Sequence, residues 1–183
     1  NEEIRGIVET YLQKKNWLVP IANNIFGVDD KALASTLAQK FPVLKNITVE
    51  KKYFHGLIIQ ANHREAIGIW CFQKQGSCLY FDQDGIAFDR AADSSGTLFL
   101  MVHDYLEDAK ELGGRVADEE SFDRVLELKK ELDRTKIGIS RIIIPEELFR
   151  INVKTTEGWE AYFSTADALI PQTKALSIFL ANK

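Results

Sequence analysis

The period of the hydrophobic pattern changes sharply at Pro42, and that change limits what the chain can fold into. Upstream, Ile4, Ile7, Val8, Tyr11 and Leu12 recur at helical spacing, and so do Leu33, Leu37 and Phe41. Asp29 is a residue type that caps helices, and Val28 and Leu33 sit where a hydrophobic staple would place them. Pro42 then stops the second helix. Downstream the period is two: Ile47 and Val49 alternate with Thr48, Glu50 and Lys52, and after a turn near His55-Gly56, Leu57, Ile59 and Ala61 alternate with polar residues. Two helices followed by a hairpin bury one face only, and an isolated hairpin is marginal. The pattern therefore predicts an α-α-β-β module that needs a further strand, expected upstream of Asn1.

Between Phe41 and Phe88 the strand signals hardly pause. After Arg64, Ala66 to Phe72 is apolar without alternation, as in a strand buried on both faces. Leu79 to Phe81 returns beside it, and Asp82-Gln83-Asp84-Gly85 turns into Ile86 to Phe88. Ala91 to Thr97 reads as a loop and Leu98 to Val102 as a short strand, while His103 to Val116 is readable as a poor helix or a loop. A helix capped by Asp118 follows, with Phe122, Val125, Leu126 and Leu132 inward. Strands are expected over Ile137 to Ile144, Leu148 to Thr155 and Trp159 to Phe163, then a closing helix capped by Thr165 with Leu169, Thr173, Leu176 and Leu180 inward. The expected class is α+β: the α-α-β-β module over residues 1–64, then a mainly antiparallel β domain carrying helices over 65–183.

The chemistry in the sequence is sparse. A net charge of -4 and the absence of any basic run longer than a pair such as Lys51-Lys52 argue against a nucleic-acid partner. No apolar run approaches the roughly 18 residues of a spanning helix. The chain opens on Asn1 rather than Met, which reads as a fragment or processed product. If Lys74-Gln75 turns a hairpin, Cys71 faces Cys78; a disulfide, with an oxidising compartment, and a pair of reduced core cysteines both remain open. Their C-x6-C spacing lacks a second ligand pair, so no metal is expected. His55, His63 and His103 lie in separate segments, and Ser94-Ser95-Gly96 lacks a nucleophile elbow. Placed in a calcium loop, Asp82 and Asp84 would put Tyr80 and Ala91 at its two ends, where neither can serve as the ligand. No catalytic residue and no cofactor site is expected. An apolar strand with a polar outer face suits strand addition by a partner, and Trp159, Ala161 and Phe163 alternate on the last strand.

The run FPVLKNITVEKKYFHGLIIQANHREAIGIW resembles the seam of the FtsQ/DivIB cell-division family, where a polypeptide-transport-associated (POTRA) domain passes into a β domain. Phe41-Pro42, Val49, Lys52-Tyr53, Leu57, Arg64 and Ile67 to Trp70 carry the likeness, and the later YFDQDGIAF is similar to the family turn at Asp82 and Gly85, with Phe88 following. Phe54, Gly56, His63 and Ala66 depart from the family's usual Pro, Thr, Glu and Pro. The resemblance implies a non-enzymatic divisome scaffold for septum formation: the extracytoplasmic part of a single-pass cell-membrane protein whose span precedes Asn1. It further implies partners of the FtsB/FtsL coiled-coil type, a partner-pairing strand beyond Lys183, and Lys52, Tyr53 and Arg64 as partner-facing residues beside Trp159, Ala161 and Phe163. Two other readings stand beside it: a POTRA-containing component of an outer-membrane transport system, and a ligand-binding protein or enzyme of unrecognised type.

Overall fold

The structure is a computed structural model that describes residues 2–14, 28–52, 56–93 and 99–182. The expected connection after Trp17, the turn residues Tyr53 and His55, and Ser94-Ser95-Gly96 lie outside the described residues. The chain forms an α+β fold in two compact units, Asn1–Arg64 and Glu65–Lys183.

In the first unit, α1 (Glu2–Lys14) and α2 (Asp30–Lys40) precede the antiparallel pair β1 (Leu44–Lys52) and β2 (Gly56–His63). Asp29 caps α2 by accepting the N–H groups of Lys31 and Ala32, and Phe41 closes it by donating to the Leu37 carbonyl. Val28, Leu33, Leu37 and Val49 form its buried core, with Ile4, Val8, Phe41, Ile47, Leu57 and Ile59 packed around them. The β1–β2 register slips between Lys45 and Thr48, where Asn46 takes φ 55°. Beyond Ile59 the alternation no longer selects a buried face, and Ala61 is exposed.

The second unit is one seven-stranded sheet in the order β5-β4-β3-β6-β7-β8-β9. Its strands are β3 (Gly68–Phe72), β4 (Ser77–Phe81), β5 (Ala87–Ala91), β6 (Leu100–Asp104), β7 (Ile139–Ile144), β8 (Arg150–Thr155) and β9 (Glu160–Ser164). The pairs are antiparallel except β3–β6 and β6–β7, which are parallel. Helices α3 (Glu119–Arg134) and α4 (Leu169–Ala181) contribute Phe122, Val125, Leu128, Leu132 and Leu169 to a single core shared with one face of the sheet. All of β3 is buried: Trp70 and Phe72 join that core, and Ile69 and Cys71 join a smaller cluster with Cys78 and Met101. Gly68 leads into this strand, and a Cβ there would fall 2.5 Å from the Phe81 ring and 2.7 Å from the Leu100 carbonyl oxygen.

Two elements differ from the sequence expectation. Strand β6 continues past the expected end at Val102 through His103 to Asp104, and the following residues form a loop, one of the two readings the sequence allows. The cause is the buried Asp104 carboxylate. It accepts from Trp70 Nε1 at 3.0 Å and from the N–H groups of Leu106 and Glu107 at 2.8 and 3.0 Å, which turns the chain away from the strand. The loop then runs beside the start of β5, with Gly113 N–H donating to the Ala87 carbonyl and Ala87 N–H to that of Gly114. The closing helix starts at Leu169 with Ala168 at its cap and no side-chain cap bond, while Thr165 extends the β8–β9 ladder, its N–H donating to the Phe149 carbonyl. Pro171 falls in the first turn, where a missing N–H costs nothing.

Asp104→Ala leaves the Trp70 N–H and two loop N–H groups without their acceptor, and the expected loss is about 3 kcal/mol in urea unfolding. Asp118 caps α3 by accepting from Ser121, and that bonding holds its carboxyl below the ordinary 3.8. The cap's stabilisation is therefore present above the ordinary carboxylate pKa and lost as pH falls through the folded value. Asp118→Ala is expected to cost about 1 kcal/mol at neutral pH and to flatten that acid limb in melts run against pH.

Candidate functional site

The two outer strands of the large sheet are β5 and β9, and β9 presents a ladder edge suited to a further strand. Thr155 N–H donates to the Trp159 carbonyl, and the ladder pairs Val153 with Ala161 and Ile151 with Phe163. On the outer side, the Gln172 side chain accepts from Ser164 N–H at 2.8 Å and donates to the Ser164 carbonyl at 2.9 Å. Antiparallel residues alternate between turning both backbone groups inward and turning both outward. Since Ser164 turns outward, Tyr162 and Glu160 do so too. Gln172 thus acts as a side-chain stop at the end of an otherwise open edge.

Beside this edge lies an open groove of about 410 Å³ formed by β9 and the outer part of α4. Trp159, Ala161 and Phe163 line it together with Leu176, Phe179 and Leu180. The side chains do not share one exposure. Phe163 is buried in the core and Trp159 and Ala161 are half-buried, whereas Tyr162 is 60% and Phe179 66% exposed. The residues most accessible to a partner are thus Tyr162 and Phe179, which the alternation of Trp159, Ala161 and Phe163 passes over. A helix that is apolar nearly all round would have pointed to Phe179, since α4 reads LIPQTKALSIFLA and buries only Leu169 and Thr173 fully. On the other face of β9, the Arg150 guanidinium stacks 4.4 Å from the Tyr162 ring centroid while its Nε donates to Asn152.

The other sequence-expected residues lie elsewhere. Lys52 is exposed at the end of β1, and Tyr53 is outside the described residues. Arg64 is half-buried; its Nε donates to the Pro42 carbonyl at 3.0 Å and its N–H to that of Val43, so it ties the end of β2 to the turn after α2. Cys71 and Cys78, paired across β3 and β4, are joined as a disulfide. Asp82 serves the turn: its Oδ1 accepts from Asp84 and Ile86 N–H groups, and Gly85 takes φ 73°.

No protein-family model matches this chain, and no curated protein matches it. Among the described residues, no helix is long and apolar enough to cross a membrane.

Gln172→Ala removes the stop on the β9 edge. The expected result is faster hydrogen exchange at the Ser164 amide and a stability loss of about 1 kcal/mol, with exchange at the Val153 and Phe163 amides changed only by the global loss.

Proposed function

We propose that this chain is the extracytoplasmic part of an FtsQ-like cell-division protein, a non-enzymatic scaffold that binds partner division proteins by strand addition. The observation that carries the reading is the β9 edge, with outward backbone groups at Glu160 and Tyr162 beside a groove lined by Leu176, Phe179 and Leu180. Strand addition draws affinity from main-chain hydrogen bonds and selectivity from side-chain pockets next to the edge, and β9 offers both. The order of elements supports it as well: two helices and a hairpin, then a mostly antiparallel sheet carrying helices, with the seam motifs of the family across Phe41 to Trp70. The Cys71–Cys78 disulfide suits an oxidising, extracytoplasmic compartment. In this reading the protein is held at the cell membrane by a span outside Asn1–Lys183, and its partners are a coiled-coil pair of the FtsB/FtsL type.

The test is calorimetric titration of the native extracytoplasmic chain, including any sequence that follows Lys183, with a soluble FtsB/FtsL-type pair. Saturable binding is expected, and Phe179→Glu is expected to weaken it tenfold or more, about 1.4 kcal/mol. No binding up to about 100 μM, weaker than roughly -5.5 kcal/mol, would reject the assignment.

A further inference from the structure

The face of the large sheet opposite α3 and α4 holds a second group of chemically capable side chains, sharing no residue with the β9 groove. The parallel register of β3 and β6 sets Cys71 beside His103, and the antiparallel register of β3 and β4 sets Cys71 opposite Cys78. Asp93, just past the end of β5, reaches over to His103, its Oδ1 3.2 Å from Nε2. A carboxylate oxygen of Asp93, a ring nitrogen of His103 and the Cys71 sulfur all lie within 4.8 Å of one another, and the Cys78 sulfur is covalently attached to the last. The Cys71 sulfur, an imidazole and a carboxylate are thus already gathered, and the Cys78 sulfur is bonded to the first of them. That is a donor set of the kind tetrahedral zinc takes.

We propose that reduction of the Cys71–Cys78 disulfide converts this cluster into a four-ligand zinc site made of Cys71, Cys78, His103 and Asp93. The disulfide and the metal are then alternative closures of the β3–β4 hairpin, chosen by the redox state of its surroundings. A dithiol reductant delivers two electrons and two protons to the disulfide, is itself oxidised to a disulfide, and leaves two thiols. Zinc then binds both sulfurs as thiolates, releasing their two protons to solvent.

The surroundings suit this chemistry. His103 is buried, with Asp93 on the Nε2 side of its ring and Arg141 on the Nδ1 side. Arg141 Nη1 lies 3.4 Å from His103 Nδ1, which leaves the ring proton on Nε2 facing Asp93 in the disulfide form. Ligation through Nε2 moves that proton to Nδ1, so Arg141 gives up its bond to the ring. Two thiolates and a carboxylate around a dication leave one net negative charge, which Arg141 balances. Asp93 is exposed, so an ion has a way in.

The test is anaerobic titration of the phosphine-reduced chain with cobalt(II), followed by displacement with zinc. The reduced protein is expected to take up one equivalent with thiolate-to-cobalt charge-transfer absorption and tetrahedral visible bands, and the disulfide form to take up none. Cys78→Ser is expected to lower the charge-transfer intensity. The exposed Asp93→Asn and the buried His103→Gln are each expected to weaken zinc affinity roughly tenfold or more. Three outcomes overturn the proposal: no saturable band in the reduced protein, loss of native circular dichroism on reduction that zinc fails to restore, or wild-type affinity in Asp93→Asn. The last would mean that the two thiols gather metal without the strand-built ligands.

Discussion

The Asp104 carboxylate ties strand β3, strand β6 and the loop that follows β6 together in the second unit. It lies fully buried at the end of β6, where a charge is tolerated only if its lone pairs are occupied. Trp70 on β3 supplies one donor and the turning backbone at Leu106 and Glu107 two more, while the Asp104 carbonyl accepts from Gln73 N–H. These bonds hold the parallel pairing of β3 and β6 at its far end and send the chain out into the loop that runs along β5. Under α3, Trp70 also meets Phe81 and Phe122, which pack edge-on at 5.7 Å, so the polar anchor and the aromatic core share a side chain.

Once that pairing is set, the two faces and two edges of the sheet take different roles. One face is filled by α3 and α4; the other keeps a small cluster around the disulfide, with His103 and Asp93 beside it. At one edge the loop ending in Gly113-Gly114 bonds along the start of β5. At the other, β9 keeps outward backbone groups, stopped at Ser164 by the Gln172 amide. A long open edge invites indiscriminate pairing. A short one that ends at a side-chain stop next to an apolar groove limits what can add to it, and the proposal of a docking surface rests on that.

Part of this was legible along the chain because the signals are local. The Asp29 and Asp118 caps, the Asp82-to-Gly85 turn and the double-sided burial of β3 each depend on residues within a few positions of one another, and the α+β class follows from the change of period at Pro42. Thr165, expected as the cap of the closing helix, instead pairs with Phe149, sixteen positions earlier, a partner that local spacing does not show, and the helix starts three residues later at Ala168. The β9 residues Trp159, Ala161 and Phe163 stand on one side of the strand as alternation requires, yet which of that strand's neighbours reaches solvent depends on where α4 lies.

The sequence by itself determined the period of each segment, the turn chemistry and the hairpin that sets Cys71 against Cys78, since these rest on steric and hydrogen-bonding preferences of adjacent residues. Tertiary structure alone decided that β6 inserts in parallel beside β3, bringing His103 next to Cys71 from 32 positions away, and that β9 forms an edge with Phe179 over its groove. The physical reason is that strand order follows from burying the whole sheet under two helices at once. That is a property of the assembled layers, and no window of the chain contains it.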